Sequence, residues 1–295
     1  SCDRPAAPLP LSTKGTGMSF SIFLAVLAAA LLHAIWNALV KTGSNRVQAM
    51  VILSVAEIVI GLAVSAPRPL PGMAVLPWLA ASGVFHLIYK TCLTFAYEHG
   101  DLSRVYPLAR GTAPLAVLIV GALFLGEIVE PFEALGIVIL GAGILLLASG
   151  VLFSDESRRL LPYAFGAAFG TAGYTMVDGF GARMAGDGPL YVGWLFVIDG
   201  ITYLVLMLAM RGAPMLVAPR RAWVSGALAG VASYGAYAIV VWAMTKAPIP
   251  LVAALRETSS LFAVLIGWLV FGERMSRGKW LAVGLIAAGV AVTRL

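Results

Sequence analysis

The sequence predicts an all-α integral membrane protein of ten transmembrane helices, arranged as two inverted five-helix repeats. Three observations carry that prediction. Of the 295 residues, 60% are hydrophobic and 12% charged, whereas soluble domains average about 25% charged. The apolar residues fall in runs of roughly 18 to 24, long enough for a helix to cross a hydrocarbon core of about 30 Å, while a membrane barrel would show segments of about ten alternating residues. Third, one stretch is written twice: Arg110 to Glu127, RGTAPLAVLIVGALFLGE, returns as Arg256 to Glu273, RETSSLFAVLIGWLVFGE.

At a constant offset of 146 the copies match at Arg110/Arg256, Thr112/Thr258, Leu115/Leu261, Gly121/Gly267, Leu123/Leu269, Gly126/Gly272 and Glu127/Glu273. Ten spans can be placed, at about 20–40, 48–66, 73–97, 103–125, 131–152, 161–184, 188–210, 222–245, 249–271 and 277–294. Pro, Gly and charge clusters punctuate them: APRPLPG (Ala66–Gly72) after the second, SDESRR (Ser154–Arg159) between the halves, and Arg211–Arg221 after the seventh. The duplicated stretch forms the fourth and ninth spans. An offset of five spans is odd, so the second copy enters the membrane from the opposite side. Residues 18–153 and 160–295 are thus the two repeats. Residues 1–17, polar and Pro-rich, are expected to form a disordered leader or extended start; they lack the apolar core of a signal peptide.

Fainter echoes extend the repeat. Phe95-Ala96 answers Trp242-Ala243, Gly143 answers Gly289, and HAIWNALV in the first span is answered by TAGYTMVD in the sixth, pairing Trp36 with Tyr174. These residues carry a resemblance. Two five-helix repeats, Trp36-Asn37 in the first span, and fourth and ninth spans closing on Gly126-Glu127 and Gly272-Glu273 resemble the EamA-type permeases of the drug/metabolite transporter superfamily. The resemblance covers residues 20 to 294. It implies a multi-pass protein of the cell inner membrane that carries a small molecule, commonly exporting amino acids or related amphipathic compounds, with a central cavity walled by helices from both repeats. The inverted repeat, together with the cations inside the spans, predicts alternating access with one repeat rocking against the other.

Charge inside the membrane singles out candidate residues, because a charged side chain at the bilayer centre costs at least about 2.5 to 3.5 kcal/mol. Seven fall within spans: Glu57, Lys90, Arg110, Asp178, Asp199, Arg256 and Glu257. Arg110 and Arg256 come about eight residues into their spans, roughly 10 Å deep, where each either anchors its own helix or holds an anionic group of the substrate. Lys90, beside Phe85, His86 and Tyr89, either pairs with Glu57 or Asp178 or binds a substrate carboxylate. Asp178, Asp199 and Glu57 are candidates for proton coupling or for structural hydrogen bonds. Glu257 follows Arg256 directly and, in a continuous helix, points about 100° away toward a different neighbour. Trp36, Tyr174 and Tyr237 are candidate cavity wall and Asn37 a candidate hydrogen-bonding group. The Gly-Glu ends are read as packing joints.

Other classes lack support. Cys2 and Cys92 make no disulfide framework, the three histidines make no metal cluster, and no phosphate-binding loop or nucleophile motif is present. Neither a cofactor nor enzymatic chemistry is expected. The formal charge of +6 is spread over many loops, which argues against nucleic acid; the expected partners are the lipid bilayer and a small-molecule substrate, with the chain a monomer or homodimer. A non-transporting sensor or accessory subunit, and a flippase for a lipid-linked substrate, stay open. Eleven basic residues fall on the face opposite the termini and six on the termini's face. By charge the termini lie outside the cytoplasm, whereas the family resemblance implies cytoplasmic termini.

Overall fold

The computed structural model describes residues 18–41, 46–99, 102–124, 126–152, 157–270 and 272–295, so the leader lies outside it. The described residues form eleven α-helices and no strand. The first repeat supplies α1 (Phe20–Lys41), α2 (Arg46–Ser65), α3 (Leu76–His99), α4 (Leu102–Phe124) and α5 (Pro131–Leu152). The second supplies α6 (Ser157–Ala185), α7 (Gly188–Arg211), α8 (Arg220–Met244), α9 (Ile249–Arg256), α10 (Ser259–Leu269) and α11 (Arg277–Val292), with one 3-10 turn at Ala213–Leu216. Among the described residues six segments are long and apolar enough to cross a membrane: Phe20–Leu39, Val47–Ser65, Leu76–Ala96, Gly188–Arg211, Arg220–Met244 and Ile249–Leu269. Large apolar side chains such as Leu123, Val205, Val231 and Phe169 point outward and are exposed, a surface suited to lipid rather than water.

The ninth span departs from expectation. It breaks between Arg256 and Ser259, where the ladder tightens to three-residue bonds from Glu257 N to Ala254 O (3.0 Å) and from Thr258 N to Leu255 O (3.1 Å). The Thr258 hydroxyl also donates to Leu255 O at 2.6 Å. A run of Thr and Ser hydroxyls offers the backbone alternatives to the helical ladder, and apolar periodicity does not register that competition. The counterpart α4 is continuous.

The helices close a ring in the packing order α1, α8, α2, α7, α3, α6, α4, α5, α11, α10 and back to α1. Except at α4–α5 and α10–α11, every neighbour comes from the other repeat. Two pairs of corresponding helices meet antiparallel where glycines let backbones approach. Gly61 lies against Gly193 and Val197 while Gly200 lies against Ser54 and Ile58, so α2 and α7 run in opposite directions; Gly136 and Gly143 set α5 against α11 in the same way. The inversion implied by the sequence is therefore present, but the repeats interleave instead of forming two separate bodies.

Inside the ring sits α9. All eight of its residues are buried, and it packs on α1, α4, α5, α6 and α8. Pro248 and Pro250 start it without needing backbone donors. It fills the half of the ring nearer the termini, where Arg294 Nη1 donates to Met18 O at 2.5 Å.

Candidate functional site

Two polar clusters occupy the interior, about one helical turn apart along α3. The first is centred on Tyr174 of α6. His86 of α3 stacks on it with ring centroids 4.1 Å apart, Tyr89 meets it edge-on at 5.7 Å, and Tyr237 of α8 at 6.1 Å. The Arg256 guanidinium, at the end of α9, lies 5.6 Å from the Tyr174 ring centroid, within range of a cation–π attraction. Arg256 also donates to Thr175 Oγ1 at 3.3 Å and to Glu257 Oε1 at 3.0 Å. Its neighbour is thus its partner, contrary to the 100° separation expected of a continuous helix. The contact is made at the end of α9, where Glu257 is the C-terminal cap and keeps right-handed backbone angles.

Asp178, fully buried, ties three helices of the second repeat. Tyr237 of α8 donates to its Oδ2, and Tyr191 of α7 to its Oδ1 at 3.1 Å. His86 is oriented by Ser82, whose Oγ and backbone oxygen lie 3.3 and 3.2 Å from Nδ1. This first cluster therefore combines a guanidinium, four aromatic rings and hydroxyls from α3, α6, α8 and α9, which span both repeats.

The second cluster is a charge triad. Lys90 Nζ of α3 lies 2.5 Å from Glu57 Oε2 of α2 and 2.7 Å from Asp199 Oδ2 of α7. Ser54 Oγ stands 3.3 Å away, and the ammonium is 5.5 Å from the Tyr203 ring. Tyr203 is held by Thr94, hydroxyl to hydroxyl, at 2.7 Å. All three charged groups are buried. Lys90 pairs with Glu57 and Asp199, and Asp178 belongs to the other cluster.

A third arrangement lies toward the termini face. Arg183, at the end of α6, donates to Glu127 Oε1 at 2.5 Å and Oε2 at 3.3 Å, and to the carbonyls of Met244 (2.9 Å) and Ala247 (3.2 Å). Glu127 Oε2 also accepts from Ile249 N, the first residue of α9, at 2.9 Å. Negative charge at a helix N-terminus is favourable, so this carboxylate anchors the start of α9. The Gly-Glu joints share one geometry in both repeats. Gly126 (φ 65°) and Gly272 (φ 66°) take the left-handed conformation, and Glu127 N and Glu273 N each bond back at 3.0 Å to Gly121 O and Gly267 O. Left-handed backbone at a helix end favours glycine.

The structure therefore brings Tyr174, Tyr237 and Arg256 together, and Lys90, Glu57 and Asp199 together. Trp36 lies apart, in an apolar cluster with Met50, Leu53, Leu93 and Tyr203, its Nε1 donating to His33 Nδ1 at 3.2 Å. Asn37 donates to His33 O on its own helix at 2.7 Å. Arg110 is helical, but its side chain lies outside the described residues. Sequence reasoning missed Tyr191, Thr175, Tyr203 and Arg183 as partners. Thr175 had a signal, since the repeat alignment sets it against Asn37; Arg183 stands at the very end of its predicted span and reads in sequence only as a charge at the membrane face.

A sequence profile described as the EamA-like transporter family matches residues 20–149 and again 159–295. No curated protein matches the chain. One solved structure, described only as the crystal structure of a protein, superposes with a TM-score of 0.74 over 93% of this chain and 98% of that one. At 19% identity that similarity establishes the fold and nothing narrower.

Proposed function

The chain belongs to the EamA-like transporter family, and from that premise we propose that it is a ten-span secondary transporter of the cell inner membrane, exporting a small amphipathic or zwitterionic metabolite. The observation that carries the substrate class is the Tyr174 cluster. Arg256 offers charge to a carboxylate, while Tyr174, His86 and Tyr237 offer a rigid aromatic wall. Arg256 ends the first segment of the broken ninth span, inside the ring, and the aromatic wall comes from the ring helices α3, α6 and α8 of the two repeats. Irregular backbone at membrane depth is tolerated where it is buried in protein or lines a cavity, and transporter sites use such breaks. An incoming carboxylate would exchange with Glu257 as the partner of Arg256, which keeps the guanidinium paired when the site is empty.

The interleaved ring changes the expected motion. If one repeat rocked as a body against the other, it would shear the α2–α7, α1–α8, α3–α6 and α5–α11 interfaces together. The moving bodies each include helices of both repeats, and access to the termini face opens by releasing α9 from Glu127 and Arg183. The test is export from cells that overexpress the protein, followed in the medium. Arg256→Ala should abolish release of the compound that the wild type exports. Full release by Arg256→Ala together with Tyr174→Ala would overturn the site.

A further inference from the structure

We propose that Glu57, Lys90 and Asp199 form a site that binds and releases one proton, and that this proton drives transport; the second half of the proposal rests on the transporter reading above. The first observation is positional. Glu57 and Asp199 are each the twelfth residue of their helix, α2 and α7, and those helices are the corresponding, antiparallel pair of the inverted repeats. The two carboxylates are therefore symmetry mates facing one another across the pseudo-two-fold axis. Lys90 has no such mate. In the register that pairs Phe95-Ala96 with Trp242-Ala243, the matching residue of α8 is Tyr237.

The second observation is the charge count. One ammonium stands between two carboxylates, at 2.5 and 2.7 Å, and the fully ionised triad carries a surplus negative charge in the membrane interior, where charge is costly. Asp199 Oδ1 is buried and accepts no hydrogen bond. Among the described residues the neighbouring groups do not supply the missing charge. Ser54 of α2, Thr94 of α3 and Tyr203 of α7 are neutral hydroxyl groups. Between Arg221 and its end α8 carries no charged residue. On α6, Asp178 is engaged by Tyr191 and Tyr237. His86 lies one turn along α3, in the Tyr174 cluster.

A bound proton removes the surplus and leaves a neutral triad; its release restores a negative one. A metal cation would serve less well, since the Lys90 ammonium already fills the space between the carboxylates. Glu57 and Asp199 lie where the corresponding helices α2 and α7 cross, and transporters place their coupling-ion sites at the interface of the repeats near the bilayer midplane.

The experiment is infrared difference spectroscopy of the purified protein in lipid vesicles, titrated with pH. The wild type should show the carbonyl band of a protonated carboxylic acid that disappears on alkalinisation and shifts in deuterium oxide. Asp199→Asn and Glu57→Gln, each of which leaves a balanced ion pair, should lose it, and Asp178→Asn should keep it. If a variant fails to fold, carboxyl-labelled Asp and Glu in the wild type assign the same band. Absence of the band across the folded pH range, or its survival in both Asp199→Asn and Glu57→Gln, overturns the site. Coupling is read in cells: a protonophore should stop wild-type export and leave residual Asp199→Asn export unchanged. Export in the wild type that is indifferent to the protonophore refutes coupling alone, whereas the absence of any exported compound refutes the transporter reading and leaves the spectroscopic result standing.

Discussion

Replacing Glu127 with Gln tests how the termini face is held shut. The carboxylate is 5% exposed and bonded to Arg183, whose side chain is 25% exposed, and it caps Ile249 N at 2.9 Å. Breaking a fully buried pair costs about 3–5 kcal/mol. Here Arg183 retains partial solvent contact and its bonds to Met244 O and Ala247 O, and the amide oxygen still accepts from Ile249 N, so the loss falls to about 2 kcal/mol. Because Glu127 links Arg183 to the N-terminus of α9, and Arg183 holds the Met244–Ala247 connection that leads into α9, that loss, if it falls wholly on the closed arrangement, raises the fraction of molecules open at this face by up to about 30-fold. The assay is thiol labelling of Ala253→Cys, a position in α9 that is 2% exposed, in a background with Cys2 and Cys92 replaced by alanine. Labelling should accelerate by up to about 30-fold when opening is rapid relative to reaction. Glu273→Gln is the matched control, because its 3.5 Å pair with Lys279 has side chains 42% and 38% exposed and surface pairs contribute about 0–1 kcal/mol. Equal labelling of Glu127→Gln and its parent would refute the latch.

The close approach of α5 and α11 yields a second prediction. A Cβ on Gly289 would stand 2.6 Å from Leu140 N and 2.8 Å from Gly136 O, so Gly289→Val should destabilise the folded protein by about 1–3 kcal/mol, seen as lower thermal stability in detergent. Gly284→Ala meets nothing within 4 Å and should be neutral or stabilising by up to about 1 kcal/mol; equal losses would contradict the packing. Tyr237→Phe removes the donor to Asp178 Oδ2 and should lower stability by about 1–3 kcal/mol, the cost of an unsatisfied buried acceptor. An unchanged melting temperature would mean that Asp178 is satisfied elsewhere.

Much of the architecture was legible because membrane helices obey length and hydropathy. The repeat of Arg110–Glu127 in Arg256–Glu273 showed the duplication, and span parity its inversion. What escaped was set by contacts between helices. The ninth span breaks at Thr258, Ser259 and Ser260, where hydroxyls compete with the backbone, and no apolar count registers that. The contact of Glu257 with its own neighbour Arg256 at that break is likewise a matter of side-chain placement that residue spacing does not give. For Lys90, sequence offered Glu57 or Asp178 as partner. The helix order in the ring, which sets α7 beside both α2 and α3, selects Asp199 alongside Glu57 and leaves Asp178 to the tyrosines. Interleaving of the repeats is likewise a property of tertiary packing, invisible in a linear alignment of the two halves.

The central claim is that Arg256 and the Tyr174 cluster form the substrate site of an exporter. The most direct measurement is an untargeted comparison of metabolites in the medium of three strains: one lacking the protein, one overexpressing the wild type and one overexpressing Arg256→Ala at equal membrane abundance. The account predicts one class of carboxylate-bearing compound raised by the wild type and returned to the level of the deleted strain by Arg256→Ala. A compound raised equally by both overexpressing strains would contradict it.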